Sequence, residues 1–169
     1  MRRILIVAFV SFFTVSSYSQ SSDTDSLSKA KISQLEFMVG NWKGSGWMMG
    51  RDGGKSEFVQ TEKIQFKLDS TMVLIEGLGK SQGKVIHNAL ALLTYNKAED
   101  KLSFRSYLQN GLGGEFPAEL VEGRLYWYPN QNVRYIIGIN EQGQWFETGE
   151  FLQGENWMQF FEMTLDKEL

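Results

Sequence analysis

The chain has 169 residues, 42% of them hydrophobic and 14% aromatic, and it contains no cysteine. Without thiols there is no disulfide framework, no lipid-bearing N-terminal cysteine and no thiol nucleophile. Asp and Glu number 20 against 17 Lys and Arg, a net charge of −3, which suits neither nucleic acid nor an anionic membrane surface.

The first segment reads as a secretory signal peptide over residues 1–19. Arg2 and Arg3 form a basic start, Ile4 to Val15 an apolar run, and Ser17-Tyr18-Ser19 a small-x-small cleavage site. The run is too short to span a bilayer. An exported protein, periplasmic or secreted, with no stable membrane anchor is the expectation. Cleavage removes two bases and no acids, leaving 17 − 2 = 15 bases against 20 acids, a net charge of −5.

Residues 20–32 are polar and aperiodic at their start and read as a flexible leader. Ser33 and Glu36 then have capping-box spacing, with Ile32, Leu35 and Val39 on one helical face. A helix this short is unstable alone, so it is expected to dock as a plug. In LEFMVGNWKGSGWMMG, Leu35 to Gly50, the residues Gly40, Trp42, Gly44 and Gly46 fall on alternate positions. Glycine weakens a strand unless something approaches closely. The reading is barrel closure, with Trp42 as an indole cap and Gly44 and Gly46 permitting a sharp bend or leaving interior space.

Turn signals then recur at Asp52-Gly53-Gly54, Asp69-Ser70, Ser81-Gln82-Gly83, Asn96 to Asp100 and Asn110 to Gly114. They continue at Glu122-Gly123, Pro129 to Asn132, Asn140 to Gly143 and Gln153 to Asn156. About ten runs of strand length lie between them. No interval holds a crossover helix, so neighbouring strands are expected to be antiparallel. The predicted fold is all-β: an antiparallel up-and-down barrel of about ten strands over residues 33–167, with a short N-terminal plug helix. A two-sheet sandwich is the alternative.

Ser56 to Leu68 shows the clearest period of two. Phe58, Gln60, Glu62, Ile64, Phe66 and Leu68 share one face, and the lysines of the other mark solvent. Gln60 and Glu62 thus point inward, where a carboxylate requires a basic partner, water or a ligand. After Asp69 the register is open. A two-residue turn sends Val73, Ile75 and Gly77 inward; one more loop residue sends Met72, Leu74, Glu76 and Leu78 there instead.

Several phrases carry a resemblance. Gly40-Asn41-Trp42 resembles the G-x-W opening of lipocalin-type barrels, and Gly40-x-Trp42-x-Gly44-x-Gly46 is similar to the opening of nitrobindin-like barrels, within the calycins. QTEKIQFKLD, VLIEGLG, IHNALALLTYN, FRSYLQNG, FETGEF and NWMQFFEMTL resemble an exported bacterial family known as a domain of unknown function. The likeness runs from Leu35 to Leu165 and implies a lipocalin-like barrel. Nitrobindin-like proteins bind haem through a histidine on a late strand. The sole histidine here is His87, in mid-chain, so no residue carries haem ligation over and no cofactor is predicted.

His87 shares a face with Ala89 and Ala91, which leave space beside the imidazole. It is either a cavity group or a histidine hydrogen-bonded in the wall or rim. A metal site requires His87 with carboxylates such as Glu62, Glu76 or Glu147, and no ligand spacing announces one. Arg105 and Tyr107 lie opposite Leu102, Phe104 and Leu108. Arg105 points either to water or inward as the partner of Glu62 or an anion; Arg134 poses the same choice. Glu147, Glu150 and Glu162 stand in aromatic strands, each an interior pair member or a solvent-facing charge. Nucleophile elbow, P-loop and zinc-protease motifs are all missing.

The leading expectation is a barrel binding a small, partly apolar ligand, with Glu62, Glu76, His87, Arg105, Tyr107, Glu147 and Glu162 as the candidate polar contacts. The alternatives are a small-molecule enzyme using an interior carboxylate and His87 as acid and base, or an interaction module without a ligand. Nothing in the sequence indicates an oligomeric state.

Overall fold

The computed structural model describes residues 24–168; the signal-peptide reading and the first leader residues lie outside them. The chain forms a closed ten-stranded antiparallel barrel with a short helix at its N-terminal side. Helix α1 is Ser26–Ser33, and a 3-10 turn follows at Glu36–Met38. The strands are β1 (Gly40–Met49), β2 (Lys55–Lys67), β3 (Met72–Ser81), β4 (Lys84–Asn96) and β5 (Lys101–Leu108). They continue as β6 (Gly113–Val121), β7 (Arg124–Asn130), β8 (Val133–Ile139), β9 (Trp145–Gln153) and β10 (Asn156–Glu168). Each strand pairs with its neighbour in sequence, and β10 returns to pair with β1. Closure leaves no sheet edge exposed, and each expected turn falls at or beside a strand junction.

The expected short N-terminal helix is present, but its start and its cap differ from the sequence reading. The helix starts at Ser26, inside the stretch read as a flexible leader, and Asp25 rather than Ser33 caps it. Asp25 accepts the Ser28 N–H at 3.1 Å and the Ser28 hydroxyl at 2.6 Å, while Lys97 pairs with it at 2.6 Å. A short polar helix gains little from intrinsic propensity. It is held by Ile32, fully buried beneath it, and by Lys29–Asp69 and Lys31–Asp100 ion pairs to the barrel loops.

The glycine–tryptophan stretch closes this end. Gly40 has φ +145, a region that favours glycine. Trp42 is 2% exposed and donates its indole N–H to the Met38 carbonyl at 2.8 Å, tying β1 to the plug. Trp145 lies against it with ring centroids 6.0 Å apart. A Cβ on Gly44 would come within 2.9 Å of the Leu165 Cα, and one on Gly46 within 2.7 Å of the Met163 Cβ. The alternating glycines therefore let β10 approach β1 closely. Ile64, Val73, Leu93, Leu125 and Leu165 complete a packed core at the same end.

Candidate functional site

Beyond that core the interior opens. Phe58, Gln60, Glu62 and Ile64 alternate along β2 and are all buried. Register sets what stands beside them: Glu62 is opposite Trp42 and Gly77, and Gln60 is opposite Gly44 and Gly79. A Cβ on Gly77 would lie 2.8 Å from Glu62 Oε1, and one on Gly79 would collide with Gln60 Oε1. Glycines on β3 thus make room for the two polar side chains. Ala89 and Ala91, opposite Gly77 and Ile75 on β4, widen the same space.

Gln60 Nε2 donates to Glu62 Oε1 at 2.6 Å, while Glu62 Oε2 is buried without a hydrogen-bond partner among the described residues. An unpartnered buried oxygen costs about 1–3 kcal/mol, more if charged. The second interior acid is Glu147 on β9, 8% exposed, whose Oε2 accepts the Trp145 indole N–H at 3.2 Å. Burial pushes Glu62 up to about 7, against the lowering effect of the Gln60 hydrogen bond. Burial, then the Glu62 charge, pushes Glu147 up to about 8. The repulsion between the two carboxyls acts on both groups, so the pair releases its protons in shared steps.

Aromatic rings wall the other side. Trp127 on β7 is stacked between Phe104 and Tyr135, each with its centroid 4.5 Å away. Phe116 tilts onto Trp127, and Phe161 stacks on Phe58 at 5.6 Å. Burial, then the Glu147 charge, raises the Tyr135 phenol to about 12. Together these groups, with Ser106 and Met163, line a pocket of about 390 Å³. Met48, Ile86, His87, Leu108 and Pro129 stand toward the strand ends remote from the plug and form its mouth. A larger outer hollow of about 600 Å³ runs along Ser45–Trp47, Glu57–Val59 and Lys80–Gly83; Glu62 and Glu147 belong to the interior pocket, and the convergent chemistry lies there.

Of the seven residues expected in the site, the structure brings Glu62, Glu147 and His87 to this pocket. His87 is open to solvent on one side, yet desolvation by the rim holds its imidazole below the ordinary 6.5. Glu76 faces outward: the pairing Ile64↔Ile75 and Glu62↔Gly77 is the two-residue-turn register, and Glu76 lies 3.9 Å from Lys63 instead. Tyr107 shares with Glu76 a hollow on the outer wall. Arg105 is also outside, paired across the strands with Glu115 and not with Glu62, because Phe104 and Ser106 take the inward positions. Glu162 borders the outer hollow and accepts Gln159 Nε2 at 2.8 Å. Arg134 pairs with Glu150 at 2.7 Å and lies over the Trp157 ring.

The pocket also uses residues outside that expected set: Gln60, Gly77, Phe104, Ser106, Trp127 and Tyr135, with Gly79 making room for Gln60. Gly77 and Gly79 repeat the alternate-glycine pattern of Gly44 and Gly46, and that signal was available in VLIEGLGK. The aromatic wall carried no such mark, since packing and lining residues have the same composition. Among the described residues no group of three His, Cys, Asp or Glu gathers to hold a metal ion, and no helix is long and apolar enough to cross a membrane.

No family model matches the chain, and no curated protein matches it. Solved structures do. Rv2717c from M. tuberculosis aligns with a TM-score of 0.58 at 9% identity, over 82% of this chain and 97% of that one. The S-type phycobiliprotein lyase CPES from Guillardia theta aligns with a TM-score of 0.55 at 12% identity, over 87% and 98%. At such identities the likeness is one of fold, a closed, lipocalin-like antiparallel barrel.

Proposed function

We propose that this is an exported barrel that binds a small, partly apolar ligand in the interior pocket. The ligand's apolar body packs against Phe104, Trp127, Tyr135 and Phe161, and its polar end meets Gln60, Glu62 and Glu147. The observation that carries the reading is Glu62 Oε2, buried and unpartnered on a carboxylate that lines an aromatic-walled pocket. A concave apolar site of a few hundred cubic ångströms with a few convergent polar groups is the usual small-molecule site. A paired Glu62–Arg105 in a filled interior would have favoured an interaction module; Arg105 is committed to Glu115 on the outside. Export rests on the N-terminal sequence pattern. That one barrel of this fold is named a phycobiliprotein lyase is consistent with the reading and lends it no substrate. Haem is left out: among the described residues no Lys or Arg lines the pocket to meet its propionates, and the imidazole stands at the mouth.

Native mass spectrometry of the protein purified from its own compartment tests this. The expected result is a retained small molecule, with Trp127 and Trp145 fluorescence changing when it is stripped. Absence of any retained compound, together with a Glu62→Gln protein that is more stable and functionally silent, removes the proposal. One observation favours a second reading. Two interior carboxyls held near neutrality are suited to proton exchange with a bound molecule, and the acid–base pair is then Glu62 with Glu147, with His87 at the rim. Turnover of the retained compound with a bell-shaped pH profile supports it.

A further inference from the structure

We infer that the ligand class is cationic: an apolar or aromatic body bearing a protonated nitrogen that seats between the carboxyls of Glu62 and Glu147. This rests on the proposed interior binding site and names what the site selects. The charge inventory of the pocket is one-sided. Its titratable groups are Glu62 on β2, Glu147 on β9, Tyr135 on β8 and His87 on β4, and among the described residues no Lys or Arg lines it. The nearby cations of the outer wall are already paired, Lys63 with Glu76, Arg105 with Glu115 and Arg134 with Glu150. An anionic head group would be desolvated against two acids without a counter-charge.

The polar atoms themselves call for donors. Glu62 Oε2 is buried and unpartnered, Oε1 has one donor from Gln60, and Glu147 has one from Trp145. Carboxylates accept four hydrogen bonds each when ionised, so the pair retains several open acceptor sites facing one space. Packing does not force this arrangement, because Gly77 holds the room that the Glu62 carboxylate occupies, where a Cβ would lie 2.8 Å from Oε1. A protonated amine supplies up to three N–H donors and the charge that the coupled acids lack. Its arrival ionises them, and the protons they held are released to solvent.

The experiment is calorimetric titration of the full, ligand-stripped protein with 2-(1-naphthyl)ethylamine, 2-(1-naphthyl)ethanol and 1-naphthylacetate. The amine is expected to bind about tenfold or more tighter than the alcohol, as a charge-assisted hydrogen bond implies, and the carboxylate weakest. Repeating the amine titration in buffers of different ionisation enthalpy is expected to show net proton release at neutral pH. Affinity for the amine rises about tenfold from about pH 6 to about pH 8 as the acids ionise. Glu62→Gln lowers amine affinity about tenfold and leaves the alcohol nearly unchanged; should that variant not fold, the wild-type proton release stands as the independent measure. Alcohol or carboxylate binding as tight as the amine, or amine binding without proton release, overturns the cationic assignment and leaves interior binding intact. Failure of all three to bind overturns both.

Discussion

Glu62 takes its chemistry from its neighbours. Glu76 is the same residue type one strand away, and it sits in solvent beside Lys63. Glu62 sits behind an aromatic wall, with Gly77 opposite it across the ladder. Because the atom that a Gly77 Cβ would meet belongs to the end of a flexible side chain, Gly77→Ala is expected to move the carboxylate rather than the backbone. The predicted outcome is a melting temperature within a few degrees of wild type, about 1 kcal/mol or less, combined with loss of the retained ligand. A large drop in stability with binding preserved would contradict the assigned role of Gly77. The inward direction of Glu62 was legible from the alternation of Ser56 to Leu68, where lysines mark one face. Arg105 offered no such guide. Leu102, Phe104 and Leu108 show apolar character on one face of β5, but whether that face or the arginine's turns inward depends on register with β4 and β6.

Strand β1 shows how one element serves both closure and site. Its inward row runs Trp42, Gly44, Gly46, and the missing side chains bring β10 close on one flank and, at Gly46, make room for the Phe58 ring of β2 on the other. Gly44→Ala meets main chain, the Leu165 Cα at 2.9 Å, which cannot rotate away as a side chain does. The expected cost is about 1–3 kcal/mol, typical of overpacking, read as a lower midpoint in urea at unchanged slope; an unchanged midpoint would refute the close-approach account. Helix α1 teaches the complementary lesson. Its eight residues bury only Ser28 and Ile32, so periodicity alone is faint, and its position depends on Asp25 meeting Lys97 and on Lys29 and Lys31 reaching Asp69 and Asp100. Those partners are far away in sequence, which is why the capping-box signal at Ser33 misplaced the start.

Across the whole molecule the buried acids set the response to pH. Glu62 and Glu147 titrate in the folded protein near 7 and 8, above the ordinary carboxylate value of 4.5. The folded state therefore holds protons that the unfolded chain has already released, and by linkage stability falls as pH rises through that window. In the opposite direction, Asp25, Asp69, Asp100 and Glu115 are held low by their partners, and what they contribute is lost toward acid. The melting temperature is expected to be greatest near about pH 5 and to fall by about pH 8, with Glu62→Gln flattening the decline. A flat profile for the wild type between those values would show that the two acids are ionised at no cost and are not buried as described.

Turn residues at regular intervals, alternation within the strands and the lack of room for crossover helices were enough to predict about ten antiparallel strands and to favour a barrel over a two-sheet sandwich; closure of β10 on β1 is what the structure decides. These signals are local: each depends on residues within a strand or a loop, where chirality and side-chain period act directly. The site is not local. Glu62 and Glu147 are 85 positions apart (147 − 62), and they meet because β1 and β10 close the sheet between them. The same closure placed Arg105, Tyr107, Glu76 and Glu162 on the outer wall, since a register shift of one residue exchanges the faces of a whole strand. Composition specified that acids, a histidine and aromatics were present; the burial that makes two of those acids an interacting pair arises only when the sheet is wound shut around them.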